Sequence, residues 1–150
     1  RLSGKEVWRA ISSDWEMGYD QPVIIESGGV RQLIIWEPTG VFSLNPRTGE
    51  QYWSQEWEAP SGLTVATPVF NEDRLFLSQF YRGSMMLQLD PSKPAAKQVW
   101  VGTSKSEMPD RTEGLHALIT TPVLEGETIY VDEVPIKTLR HDDWIIATTQ

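Results

Sequence analysis

The sequence predicts an all-β chain built from repeated units of four short antiparallel strands. Three observations predict it. Apolar side chains alternate with a period of two rather than 3.6. Turn signals interrupt the chain every few residues. Three landmarks also recur, in the same order, at intervals of about 45 residues.

The first landmark is a tryptophan. The segments SGKEVW, TGEQYW and AAKQVW end at Trp8, Trp53 and Trp100, spaced 45 and 47 residues apart. The second is Pro-Val, at Pro22, Pro68 and Pro122, spaced 46 and 54 residues apart. The third is an apolar strand behind a Gly or acidic turn: RQLIIW, DRLFLS and ETIYVD.

These landmarks divide the chain, a partial repeat array over 1–150, into units. Residues 1–10 read as the last strand of a preceding unit, with the strand itself at 5–10. Residues 21–57 form a complete unit. Within it SLNPRTGEQYW reads as a hairpin. Asn45 opens the turn because its side chain bonds the backbone two residues on. Pro46 presets φ, and Gly49 takes the left-handed conformation that lets the loop rejoin. Residues 65–101 form a second unit with strands at 65–70, 74–79, 85–89 and 97–101, and turn signals lie between them. Residues 117–150 form an irregular or incomplete third unit. Pro122 and Trp144 are only 22 residues apart, and no Gly follows Val131 where a third strand should begin.

Four strands every 45 residues or so is the signature of a β-propeller blade, so the chain holds about three blades of an incomplete propeller. Each blade must bury both faces. One Trp per repeat, on the last strand, fills the gap to the neighbouring blade, with burial worth roughly 2–3 kcal/mol. Three blades do not close a ring. Open faces and edges invite pairing, so a protein partner or self-association is expected, specifically a homodimer in which two copies exchange residues 5–10.

Charge and composition exclude several classes. A net charge of −8, with scattered Lys and Arg, provides no phosphate-neutralising surface, so no nucleic acid is expected. The chain has no Cys, which removes disulfides, thiolate metal sites and a Cys nucleophile. No apolar run reaches the roughly 18 residues of a membrane helix, so no membrane insertion is expected. Arg1 in place of Met, followed by strand-like residues, reads as the interior of a longer chain.

The residues of the hairpin resemble the eleven-residue tryptophan-docking motif, Ala-x-Asp-x-x-Thr-Gly-Lys-x-x-Trp, of the pyrroloquinoline-quinone-like (PQQ-like) β-propeller repeats. Ser43 stands for Ala, Asn45 for Asp and Glu50 for Lys, while Thr48, Gly49 and Trp53 match. SGKEVW carries the second half of the motif up to Trp8. LQLDPSKPAAKQVW keeps Asp90 and Trp100 but lengthens the turn and loses Thr-Gly. The resemblance spans about residues 1–131 and is closest to bacterial members without an assigned activity.

The resemblance implies a non-catalytic binding or scaffolding segment of an extracytoplasmic bacterial protein. Its alternative is a fragment of a PQQ-dependent dehydrogenase whose active site lies outside this chain. Those enzymes use a catalytic Asp, a calcium held by carboxylate and amide oxygens, and often a Cys pair. Here Cys is absent, and the only two Asn, Asn45 and Asn71, fall in turns. His116 lies on an apolar strand, far in sequence from His141. Asp142 and Asp143 lie in the irregular tail. The acids of NEDR and EGET read as solvated turns. No catalytic residue, cofactor or metal site is therefore expected. The stretches WEMGYDQP (15–22) and SEMPDRTEGLH (106–116) link successive blades; they read first as plain connections, with the lining of a ligand- or partner-binding funnel as the alternative.

Overall fold

The computed structural model describes residues 3–15, 18–102, 115, 117, 119–126, 128–132, 140–141 and 144–149. Strands β1 (Val23–Ser27), β2 (Val30–Glu37), β3 (Gly40–Leu44) and β4 (Gln51–Glu56) form one antiparallel sheet in chain order. Strands β5 (Val69–Asn71), β6 (Arg74–Gln79), β7 (Gly83–Leu89) and β8 (Ala96–Val101) form a second. A third contains β9 (Val123–Glu125), β10 (Thr128–Asp132), β11 (Arg140–His141) and β12 (Trp144–Thr149). The only helical element among the described residues is one 3-10 turn at Pro60–Gly62. The fold is thus all-β, with propeller-type blades.

The turns follow local chemistry. Ser27 pairs with Val30 across Gly28 and Gly29, whose φ values of 62° and 73° make a two-residue primed turn. In the β3–β4 loop, Asn45 Oδ1 accepts the backbone N–H of Arg47 at 2.9 Å, and Gly49 takes φ 75°. The longer β7–β8 loop opens the same way. Asp90 Oδ1 accepts the Ser92 N–H and hydroxyl at 2.8 and 2.7 Å, and these donors hold its carboxyl below the usual range.

Blade 2 lies between its neighbours, and its alternation serves both. Leu75, Leu77, Met85, Leu87 and Leu89 pack with Ile25, Ile34, Trp36 and Val41 of the first sheet. Phe76 and Met86 point the other way and pack with Ala117, Ile129 and Val131 of the third unit. A buried polar bridge crosses the same interface. Ser84 Oγ donates to Leu115 O at 2.8 Å, and Ser78 Oγ accepts the Ala117 N–H at 2.6 Å.

Two expectations need correction. Of the expected 65–70 strand only Val69 and Phe70 are in the ladder, opposite Phe76 and Leu75, and residues 65–68 belong to the linker before it. Residues 5–10 are not a strand. They join none of the described sheets, and Trp8 packs on Gly49 of its own chain. In the third sheet β10 pairs antiparallel with β9 but parallel with β12, so this sheet is not a simple meander at the tail. His116, Asp142 and Asp143 lie outside the described residues, as do residues 106–114 of the second linking stretch.

Candidate functional site

Of the repeat motif residues, Trp53 and Trp100 pack between neighbouring units, while Asn45, Thr48 and Asp90 bond within their own loops. Residue Tyr52 is bulged out of the β3–β4 ladder, and Val99 out of the β7–β8 ladder. Each bulge comes just before the repeat Trp, and a bulge re-aims the side chains that follow it. Trp53 then sits opposite Ser43 and packs toward the second sheet. Trp100 sits opposite Met86 and packs toward the third unit, with its ring 6.1 Å from Phe76. Trp8 covers Gly49 so closely that a Cβ there would lie 2.6 Å from Cε3. Thr48 Oγ1 accepts the Glu50 N–H at 3.3 Å, while Asn45 and Asp90 hold their loops.

Gln32 was not marked by its sequence context. It is fully buried, and its Oε1 accepts both the Trp53 indole N–H at 2.8 Å and the Ser43 hydroxyl at 2.7 Å. Ser78, Ser84 and Asp20 were missed in the same way.

Antiparallel strands give each blade two ends. At one lie the β1–β2, β3–β4, β5–β6 and β7–β8 turns, which we call the hairpin end. Between its Gly28 turn and the β5–β6 turn lies a cleft of about 580 Å³, bordered by Glu26, Arg31, Glu72 and Asp73. At the other, the linking end, the linkers into blades 1 and 2 meet. Tyr19 and Asp20 N–H groups both donate to Thr64 O, at 2.7 and 3.1 Å. Gly18 permits this approach, since a Cβ there would lie 1.7 Å from Thr64 Oγ1. Next to this junction Trp36 and Trp57 stack at 5.5 Å with planes 11° apart. Trp15 and Tyr19 remain 48% and 72% exposed.

A cleft of about 380 Å³ opens there between the first linker and the end of β2. Asp20 lines it, and burial pushes its carboxyl up to about 6, with Thr64 and its own backbone working against the rise. From the ordinary 3.8 to about 6 the native carboxyl holds its proton more tightly than the unfolded one does. Stability therefore falls as pH rises through that window and is lowest above it. Asp20→Asn should raise unfolding free energy above pH 6 by about 1–2 kcal/mol, after allowance for partial exposure, and by nothing near pH 3.5. Urea unfolding of both proteins across pH 3.5–8 checks this. A gain that does not change with pH would contradict it.

Among the described residues no group of three His, Cys, Asp or Glu is placed to hold a metal ion. No helix among them is long and apolar enough to cross a membrane. A family model described as outer membrane protein assembly factor BamB matches residues 1–131. No curated protein and no solved structure matches the chain.

Proposed function

Because this chain belongs to the PQQ-like β-propeller repeat family, as the match over residues 1–131 shows, we propose that it is a non-catalytic propeller segment that binds or scaffolds a protein partner outside the cytoplasm. One observation carries the reading. The linking end presents Trp15 and Tyr19 to solvent on a linker that is pinned by two backbone hydrogen bonds to Thr64. Exposed aromatics on a rigid support give contact area at low entropic cost, as partner-binding surfaces require. The family description, an assembly factor of the outer membrane, supports both a protein partner and an extracytoplasmic setting.

The motif residues Trp8, Asn45, Thr48, Gly49, Trp53, Asp90 and Trp100 serve the docking of blade on blade in this reading. Trp53 and Trp100 meet neighbouring sheets, Trp8 meets the Gly49 turn, and Asn45, Thr48 and Asp90 hold their own loops, which leaves the linking end free for recognition.

Self-association is a second part of the proposal. Ile24 is 49% exposed on the face of blade 1 turned away from blade 2, and Val123 is 59% exposed on β9. The apolar edges of two copies cover one another. Because Trp8 is engaged with Gly49, the contact uses these faces rather than exchange of residues 5–10.

Titration with pyrroloquinoline quinone and Ca²⁺, followed by absorbance and calorimetry, should show nothing saturable at micromolar concentration. Stoichiometric binding would overturn the non-catalytic reading and favour a quinoprotein. Light scattering at the same protein concentration should give about twice the 17.0 kDa chain mass. A monomer stable to dilution removes the homodimer.

A further inference from the structure

The cleft between the first linker and β2 combines an apolar wall with uncompensated acid. Trp15, Ile35 and Pro38 supply apolar surface, and Asp20 and Glu37 supply carboxyls. Among the described residues no Lys or Arg lines it. Glu37 Oε1 accepts the Thr39 hydroxyl, but Oε2 is buried with no hydrogen-bond partner among the described residues. Trp36, which also lines the cleft, is 2% exposed, and its indole N–H has no partner among them either. A buried polar atom left unpaired costs roughly 1–3 kcal/mol, and more when it is charged. An unpaired carboxylate oxygen beside a cleft that no described cation lines points to a ligand that supplies one.

A guanidinium or ammonium head satisfies carboxylate oxygens, and its alkyl stem lies well on indole and aliphatic surface. A volume of about 380 Å³ falls at the small end of ligand sites, which suits one side chain rather than a folded cofactor. The net charge of −8 attracts a basic partner over distance.

We propose that this cleft receives an arginine or lysine side chain of a partner protein, with the charged head held by Asp20 and Glu37 and the stem lying against Trp15 and Ile35. The assignment deepens the partner-binding reading and rests on it.

The test is a tryptophan-fluorescence titration of the full chain with acetyl-Leu-Arg-Leu-amide at pH 7.5 and low salt. The same peptide with citrulline in place of arginine is the neutral control. Saturable arginine-peptide binding is expected, with the citrulline peptide at least tenfold weaker. Asp20→Asn and Glu37→Gln should each weaken binding at least tenfold without lowering the thermal midpoint. Glu26→Gln, in the hairpin-end cleft, should leave binding unchanged. Absence of saturation overturns the assignment, as does equal binding of the citrulline peptide. Equal loss in Glu26→Gln also overturns it, because that result reports overall acidity rather than a site. These outcomes are independent of the quinone titration, in which only saturable binding would overturn the non-catalytic reading.

Discussion

Replacing Gly28 with alanine should destabilise the protein by about 2–5 kcal/mol, the sum of left-handed backbone strain and overpacking. The same change at Gly29 should cost only about 1–2 kcal/mol, from backbone strain alone. The two glycines share one turn and have similar φ, 62° and 73°. Their surroundings differ. A Cβ on Gly28 would lie 2.2 Å from the carbonyl carbon and oxygen of Lys93 and 2.6 Å from Pro94 N, whereas a Cβ on Gly29 meets nothing within 4 Å. The obstacle is backbone, in the loop between β7 and β8 of the next blade, so it does not move aside as a flexible side chain would. The extra loss at Gly28 therefore measures how tightly blade 1 seats against blade 2. Urea midpoints of the two variants decide the matter. Equal losses would mean that the blades do not meet at this turn.

Trp53→Ala should cost about 3 kcal/mol, at the lower end for a large aromatic because the ring is only partly buried. For a chain of this size that lowers the thermal midpoint by roughly 6–12 °C. Two losses contribute. The ring leaves the apolar cluster between blades 1 and 2. Gln32 Oε1, fully buried, also loses one of its two donors. Trp53→Phe should recover most of the packing and leave a loss of about 1 kcal/mol for the missing N–H. A midpoint for Trp53→Ala within a degree or two of the parent would show that the ring does not hold the blades together.

Strands bounded by clear turns were legible. The β6 boundaries, Arg74 and Gln79, follow from the alternation of Leu75 and Leu77 with Phe76 and Ser78. Residues 65–68 misled because Ala66 is buried, at 1% exposed, in a linker rather than in a strand. Apolar alternation reports burial, and only a neighbouring ladder makes a strand. The candidate site was less legible, since its polar residues have partners far along the chain. Nothing local marks Gln32 as the acceptor for Trp53, or Ser84 as the donor to Leu115. Gly18 resembles any loop glycine until Thr64 is placed against it.

A usable signal was nevertheless present. Gly18 meets Thr64, Thr67 meets Thr121, and Asn71 meets Gly126. The members of each pair stand about one repeat apart, as the prolines do. Roughly equivalent positions of adjacent units therefore touch along the linkers and first turns. An alignment of the repeats at every position, rather than at the landmarks alone, pairs these residues from their spacing.

Blade 2 has a further consequence. Its central strands are covered on both sides, so Leu75 to Gln79 and Gly83 to Leu87 are buried without a break. In a linear array each unit is stabilised by its neighbours, and an interior unit has two of them. Local opening, as read by amide hydrogen exchange, then begins at the outer blades and reaches β6 and β7 last. The middle of the chain is the kinetic anchor. The linker that carries Trp15 and Tyr19 leads into blade 1, on its more readily opened side, so a partner bound there leaves the centre undisturbed.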